Sequence, residues 1–191
     1  MIRRLKSVLA VMLVLAMVLT LCPQNVAAKK KGKSITVSTQ EELDAALASG
    51  KYRKIVVKTE EVLPIKVAEG EYKKVKLVIE APNVSVTNLG AFDKVTVNDA
   101  EKYTEKAAGN SITVKAQNIE LKVAKNAEVA GITLSKDATN INLTNAGKVE
   151  DLKVKGETNV SLVQNGSMGT VTGYRICRSC NQRKNRGSCF D

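Results

Sequence analysis

Apolar and polar positions along this chain follow two interleaved patterns that keep returning. Asn83-Val84-Ser85-Val86 comes back as Asn118-Ile119-Glu120-Leu121, as Asn140-Ile141-Asn142-Leu143 and as Asn159-Val160-Ser161-Leu162. Between these runs an apolar residue is followed three and five places later by two more. That second pattern reads Phe92/Val95/Val97, Val129/Ile132/Leu134, Val149/Leu152/Val154 and finally Met168/Val171. Ile112, Ile132, Leu152 and Val171 are separated by 20, 20 and 19 residues, and Leu121, Leu143 and Leu162 by 22 and 19. A fixed period of this size marks a solenoid, in which each repeat buries its apolar face only against its neighbours.

Within the repeats the alternation has period two. Ile35-Thr36-Val37, Lys54-Ile55-Val56-Val57-Lys58, Val75-Lys76-Leu77-Val78-Ile79 and Ile112-Thr113-Val114 each put one set of side chains toward a core and the other toward water. A two- or three-strand coil of 19–22 residues fits a parallel β-helix. The six-residue rhythm of hexapeptide helices and the dense leucine consensus of leucine-rich repeats are both missing. The reading is all-β, with about six or seven coils over residues 34–173 and a body about 30 Å long. The inward set is expected to include Val84, Val86, Val95, Val97, Ile119, Leu121, Ile132, Leu134, Ile141, Leu143, Leu152, Val154, Val160 and Leu162. The stretch Asp99 to Asn110 is irregular and polar, and it is expected to leave one coil as a loop or short helix.

One segment breaks the strand rhythm. Residues 39–48 predict a helix, with Ser38 or Thr39 as N-cap and Glu41 or Glu42 completing a capping box. Leu43, Ala46 and Leu47 share one face, and Gly50 suits the left-handed turn that ends a helix. A solenoid exposes backbone and apolar side chains at its ends, so a one-faced helix placed here is a lid over the N-terminal end.

Asn83, Asn118, Asn140 and Asn159 each stand just before the same strand. In stacked coils such side chains would lie about 4.8 Å apart and could hydrogen-bond along the stack as an amide ladder. Asn also tolerates left-handed geometry at tight bends. These four residues are the candidate structural site.

The first 28 residues give an address. Arg3, Arg4 and Lys6 open a basic start, Ser7 to Leu21 is almost unbroken apolar sequence, and Val26-Ala27-Ala28 offers small residues for cleavage after Ala28. This is the layout of a secretory signal peptide, and the apolar run is short for a membrane span. Leu21 before Cys22 argues against lipid attachment. The expected localisation is extracellular or cell-surface, by bacterial export, with membrane contact only through the signal peptide before cleavage.

Charge changes the picture less than its total suggests. The formal net charge is +11, but Lys29, Lys30, Lys31 and Lys33 form a basic linker over 29–33, and the tail is Arg-rich. Between Ser34 and Gly173 the cations and the acids each number 18. A neutral body of mixed signs is a solvated surface, not a nucleic-acid face. Residues 174–191 leave the pattern altogether. Cys177 and Cys180 have knuckle spacing and Cys189 follows, but a structural zinc site wants a fourth ligand that this tail does not supply. The tail is expected to be a disordered Cys/Arg-rich segment, out of frame or truncated, that replaced further coils.

The run Thr36-Val37-Ser38-Thr39-Gln40-Glu41-Glu42-Leu43-Asp44-Ala45-Ala46-Leu47, together with the asparagine-led repeats, resembles right-handed parallel β-helix proteins of the pectin-lyase-like type. The resemblance spans roughly residues 34 to 173 and implies secreted bacterial surface proteins and adhesins. Enzymatic members of that group hold calcium with clustered acids and use a basic residue to abstract a proton. Here Asp93, Asp99, Glu120, Glu128, Asp137, Glu150, Asp151 and Glu157 are scattered along the sequence, Arg53 is the one arginine of the body, and histidine is absent. Tyr52, Tyr72 and Tyr103 are too dispersed for a sugar platform, and Lys122, Lys153 and Lys155 are expected to line up outside as solubilising residues. No catalytic residue, metal ligand or cofactor site is assigned. The expected function is a non-catalytic structural or adhesive surface module. Its partner would be a cell-wall or extracellular glycan, or another surface protein. The alternative is a fragment or inactive relative of a β-helix polysaccharide lyase or hydrolase.

Overall fold

In a computed structural model, residues 32–173 are described, and the chain coils into a parallel β-solenoid of about seven turns. The segments expected to be a signal peptide, most of the basic linker and the Cys/Arg-rich tail lie outside the described residues. Strand β1 (Lys33–Val37) leads into helix α1 (Gln40–Ser49) and strand β2 (Tyr52–Lys58). β3 (Ile65–Glu105) is one extended run that bends around successive corners without losing strand geometry. The later turns then alternate: β4 (Ala108–Val114), β5 (Glu120–Val123), β6 (Glu128–Leu134), β7 (Ile141–Asn145), β8 (Lys148–Val154), β9 (Val160–Gln164) and β10 (Ser167–Gly173).

Every pairing recorded between these strands is parallel. β4, β6, β8 and β10 stack on one side, β5, β7 and β9 on the other, and β3 feeds both stacks. The register matches like with like. Val95, Ile112, Ile132, Leu152 and Val171 form one interior column, and Tyr103, Leu121, Leu143 and Leu162 form another. Ile141 sits on Val160. All fourteen residues expected inside are buried. The period works because each strand alternates, so a coil always presents the same face to the same neighbour.

The helix forms for the reasons its sequence offers. Thr39 is the N-cap and accepts from the Glu42 N–H, while Glu42 reaches back to the Ser38 N–H at 2.8 Å. Those bonds hold the Glu42 carboxyl below its ordinary value, the Ser38 N–H contributing most. Gly50 ends the helix in left-handed geometry. Leu43, Ala46 and Leu47 are buried against β1, β2 and β3, so α1 caps the N-terminal end of the stack. The Gln40 side chain also donates to the Lys66 carbonyl and accepts from the Lys66 N–H, both at 2.8 Å, as a strand edge would.

Two expectations need correction. β1 begins at Lys33, inside the segment expected to be linker. Asp99 to Asn110 is not extruded: it carries the end of β3 and the start of β4, with Ala100, Tyr103, Glu105 and Asn110 buried. Its polar residues mimic a loop in sequence, but they satisfy one another inside the stack.

Candidate functional site

The four asparagines fall at one corner but do not form one continuous ladder. Asn140 donates to the Asn118 side-chain oxygen at 2.9 Å, and Asn159 to that of Asn140 at 3.4 Å. Asn118 and Asn140 hold positive φ angles of 57° and 53°. All four asparagines are exposed. The register that sets Lys102 beside Glu120 puts the buried Ala100 in line with Asn118, so an alanine separates Asn83 from the rest.

The buried amide and carboxylate side chains lie at the opposite corner, which the sequence reading missed. The register sets Glu105, Val123, Asn145 and Gln164 in one column, and the Lys106 N–H bond to the Asn88 carbonyl extends it to Asn88. Asn88 accepts from the Gly90 N–H and Asn145 from the Gly147 N–H, each at 3.1 Å, and Glu105 accepts from the Ala107 N–H at 2.9 Å. Each side chain thus closes its own turn two residues on, as an Asx turn does. Asn-x-Gly at 88–90 and 145–147 was the available signal. Glu105 also receives the Asn88 amide at 3.0 and 3.1 Å and the Tyr103 hydroxyl at 2.8 Å. Burial pushes the Glu105 carboxyl up despite these donors. Burial, with the Glu105 charge beside it, pushes the Tyr103 phenol well up. Asn110 completes the network, accepting from the Phe92 N–H at 2.7 Å and donating to the Gly90 carbonyl at 3.0 Å.

The outer surface of the β4–β6–β8 stack carries an open groove of about 460 Å³. Stacking brings Lys76, Asp93, Lys94, Asp151 and Lys153 to its walls, with Gly131 and the hydroxyls of Ser111, Thr113 and Thr133 along it. The acids expected to stay scattered therefore meet in part: two of them share one face with three lysines. Asp151 pairs through Oδ2 with Lys153, while its Oδ1 is buried with no hydrogen-bond partner. Lys122 belongs to the other stack, so Lys122, Lys153 and Lys155 do not form a line. Among the described residues no three of His, Cys, Asp and Glu converge to hold a metal ion.

A second hollow, of about 320 Å³, lies where α1 meets the first coils and holds Tyr52, Arg53 and Tyr72. Two of the three tyrosines expected to be dispersed are thus neighbours, and Tyr103 is a core residue. Tyr72 stacks on Phe92 with ring centroids 4.9 Å apart, which anchors it to the body. Burial raises the Tyr72 phenol, with Asp44 adding to the effect. No family model, curated protein or solved structure matches this chain.

Proposed function

We propose that the solenoid is an exported, non-catalytic structural or adhesive module whose outer rows meet a cell-wall or extracellular glycan, or another surface protein. The observation that carries this reading is the use made of the buried amide and carboxylate side chains. Asn88, Glu105, Asn110 and Asn145 are all spent on main-chain turns and on one another. Side chains that could have done chemistry instead fix the corners of a rigid stack. A rigid stack presents rows of side chains at a regular spacing, which suits recognition of an extended partner.

The groove favours a second reading, an inactive relative of the polysaccharide-active β-helix enzymes. It gathers Asp93 and Asp151 with Lys76, Lys94 and Lys153 on one outer face. Two acids, one already paired with Lys153, make a poor cradle for calcium, which takes six to eight oxygens. An ultraviolet assay for unsaturated product over pectate, alginate and related polyuronates, with and without calcium, tests the lack of catalysis that both readings share. No turnover is expected, and clear turnover by the purified protein would overturn the non-catalytic reading. Co-sedimentation with isolated cell walls tests the adhesive half: retention is expected, and full recovery in the supernatant counts against it.

A further inference from the structure

The register places three lysines in one outward column. Lys54 lies beside Lys76 in the β2–β3 pairing. One coil on, Asn98 donates to Glu80 at 2.9 Å across 18 residues, and the same offset sets Lys94 beside Lys76. Rungs of a parallel stack are about 4.8 Å apart. Three exposed ammonium groups are thus held in a row, and among the described residues none of them is in an ion pair. Like charges directly opposite in a sheet destabilise it. The lysine column continues into the groove, over Ser111 and Gly131.

We propose that this lysine ladder is a binding site for a linear phosphodiester polymer without bases, laid along the solenoid axis. The inference rests on the surface-module reading and names its partner class. A polyanion of closely spaced charges would relieve the repulsion that the column builds in. Three features select the chemistry. The cations are lysines, compact point charges that bind phosphate without demanding the planar two-point pairing of an arginine fork. The adjoining outward row carries Val56, Val78, Thr96, Thr113 and Thr133, with no aromatic ring on which a sugar or a base could stack. The hydroxyls of Thr113 and Thr133 line the groove and can donate to phosphate oxygens. Asp93 stands at the groove wall and opposes the ligand, whereas the Asp151 charge is already met by Lys153.

Titration of the full chain with synthetic poly(glycerol phosphate), followed by calorimetry, tests this. With three phosphates neutralised, affinity should fall roughly twentyfold between 50 and 200 mM salt. Lys54→Gln/Lys76→Gln/Lys94→Gln should lose at least tenfold, and Lys76→Gln alone an intermediate amount. Lys122→Gln/Lys125→Gln, away from the column, should bind as the parent does. Thermal melts of each variant establish that the fold is kept. Absence of binding, or equal binding by the triple variant, overturns the proposal. So does equal or tighter binding of a polyuronate or a single-stranded oligonucleotide of matched charge. Retention on walls stripped of phosphodiester polymer, equal to that on intact walls, would remove the ladder's ligand while leaving the surface module standing.

Discussion

Asn140 donates its side-chain amide to Asn118 on the preceding coil at 2.9 Å, and both residues hold left-handed backbone. Two effects are therefore joined at one exposed corner. The hydrogen bond is open to water, so its net worth is about 0.5–1 kcal/mol. The left-handed backbone costs a branched or bulky residue about 1–2 kcal/mol more than it costs Gly. Asn140→Leu should lose about 1–3 kcal/mol, and Asn140→Gly, which keeps the dihedral and loses the amide, distinctly less. Urea midpoints of the two variants decide this. Equal losses would mean that the amide carries the corner, not the dihedral.

Leu143 is fully buried between Leu121 and Leu162. A solenoid interior holds each layer from both sides, so a void there has neighbours on two coils. Leu143→Ala should cost about 3 kcal/mol. Leu162 belongs to β9, which pairs only with β7 among the described residues, so its layer can relax more easily. Leu162→Ala should cost less. Paired chemical denaturation curves check the order, and a larger loss at Leu162 would contradict it.

The interior and the corner at Asn118, Asn140 and Asn159 were legible in the sequence, and the corner at Asn88, Glu105 and Asn145 was not. Ile141 on Val160 followed from period and alternation alone, because both belong to the same recurring tetrapeptide. Glu105 could not be found that way. An acid in a polar stretch reads as solvated, and only the coil beneath brings Asn88 to it. The lysine column escaped for a different reason. Lys54 and Lys76 lie 22 residues apart, whereas the next step is 18, so no single period connects them. A repeat of variable length hides its outer rows even while its core remains readable.

Glu105 makes stability depend on pH in a defined direction. Burial raises its folded value above the ordinary 4.5, so between the two values the folded state binds more protons than the unfolded. Stability from this group is then complete below about 4.5 and falls as pH rises through the raised folded value. Glu105→Gln removes the titration and keeps the shape. The stability of the parent minus that of Glu105→Gln should therefore decline from pH 4 to pH 8. Melting temperatures of both proteins across that range are the measurement, and a flat or rising difference would refute the assignment.

The corner at Asn145 and Gly147 makes two separate demands on sequence. Asn145 is buried, accepts from the Gly147 N–H at 3.1 Å and donates to the Ser167 carbonyl at 2.9 Å on the following coil. It therefore closes its own turn and ties that turn to the next. Removing the side chain strands a buried N–H and a carbonyl, at about 1–3 kcal/mol. Gly147 is constrained by space: a Cβ there would press into the carbonyl oxygens of Ala124 and Ala127 on the preceding coil. Those are backbone atoms fixed by the parallel ladder, so the stack must open for the methyl group to fit. Gly147→Ala should therefore destabilise at least as much as Asn145→Ala, by more than about 2 kcal/mol. Gly109→Ala is a poor control because its φ of 80° strains any side chain. Gly131→Ala is a better one, since a Cβ there meets nothing closer than the Asp151 carbonyl at 3.7 Å. Hydrogen exchange would locate the damage. In Gly147→Ala protection should fall first in β7 through β10 and persist in β2 and β3. Uniform loss along the whole solenoid would show instead that the coils unfold as one unit and that this corner has no local role.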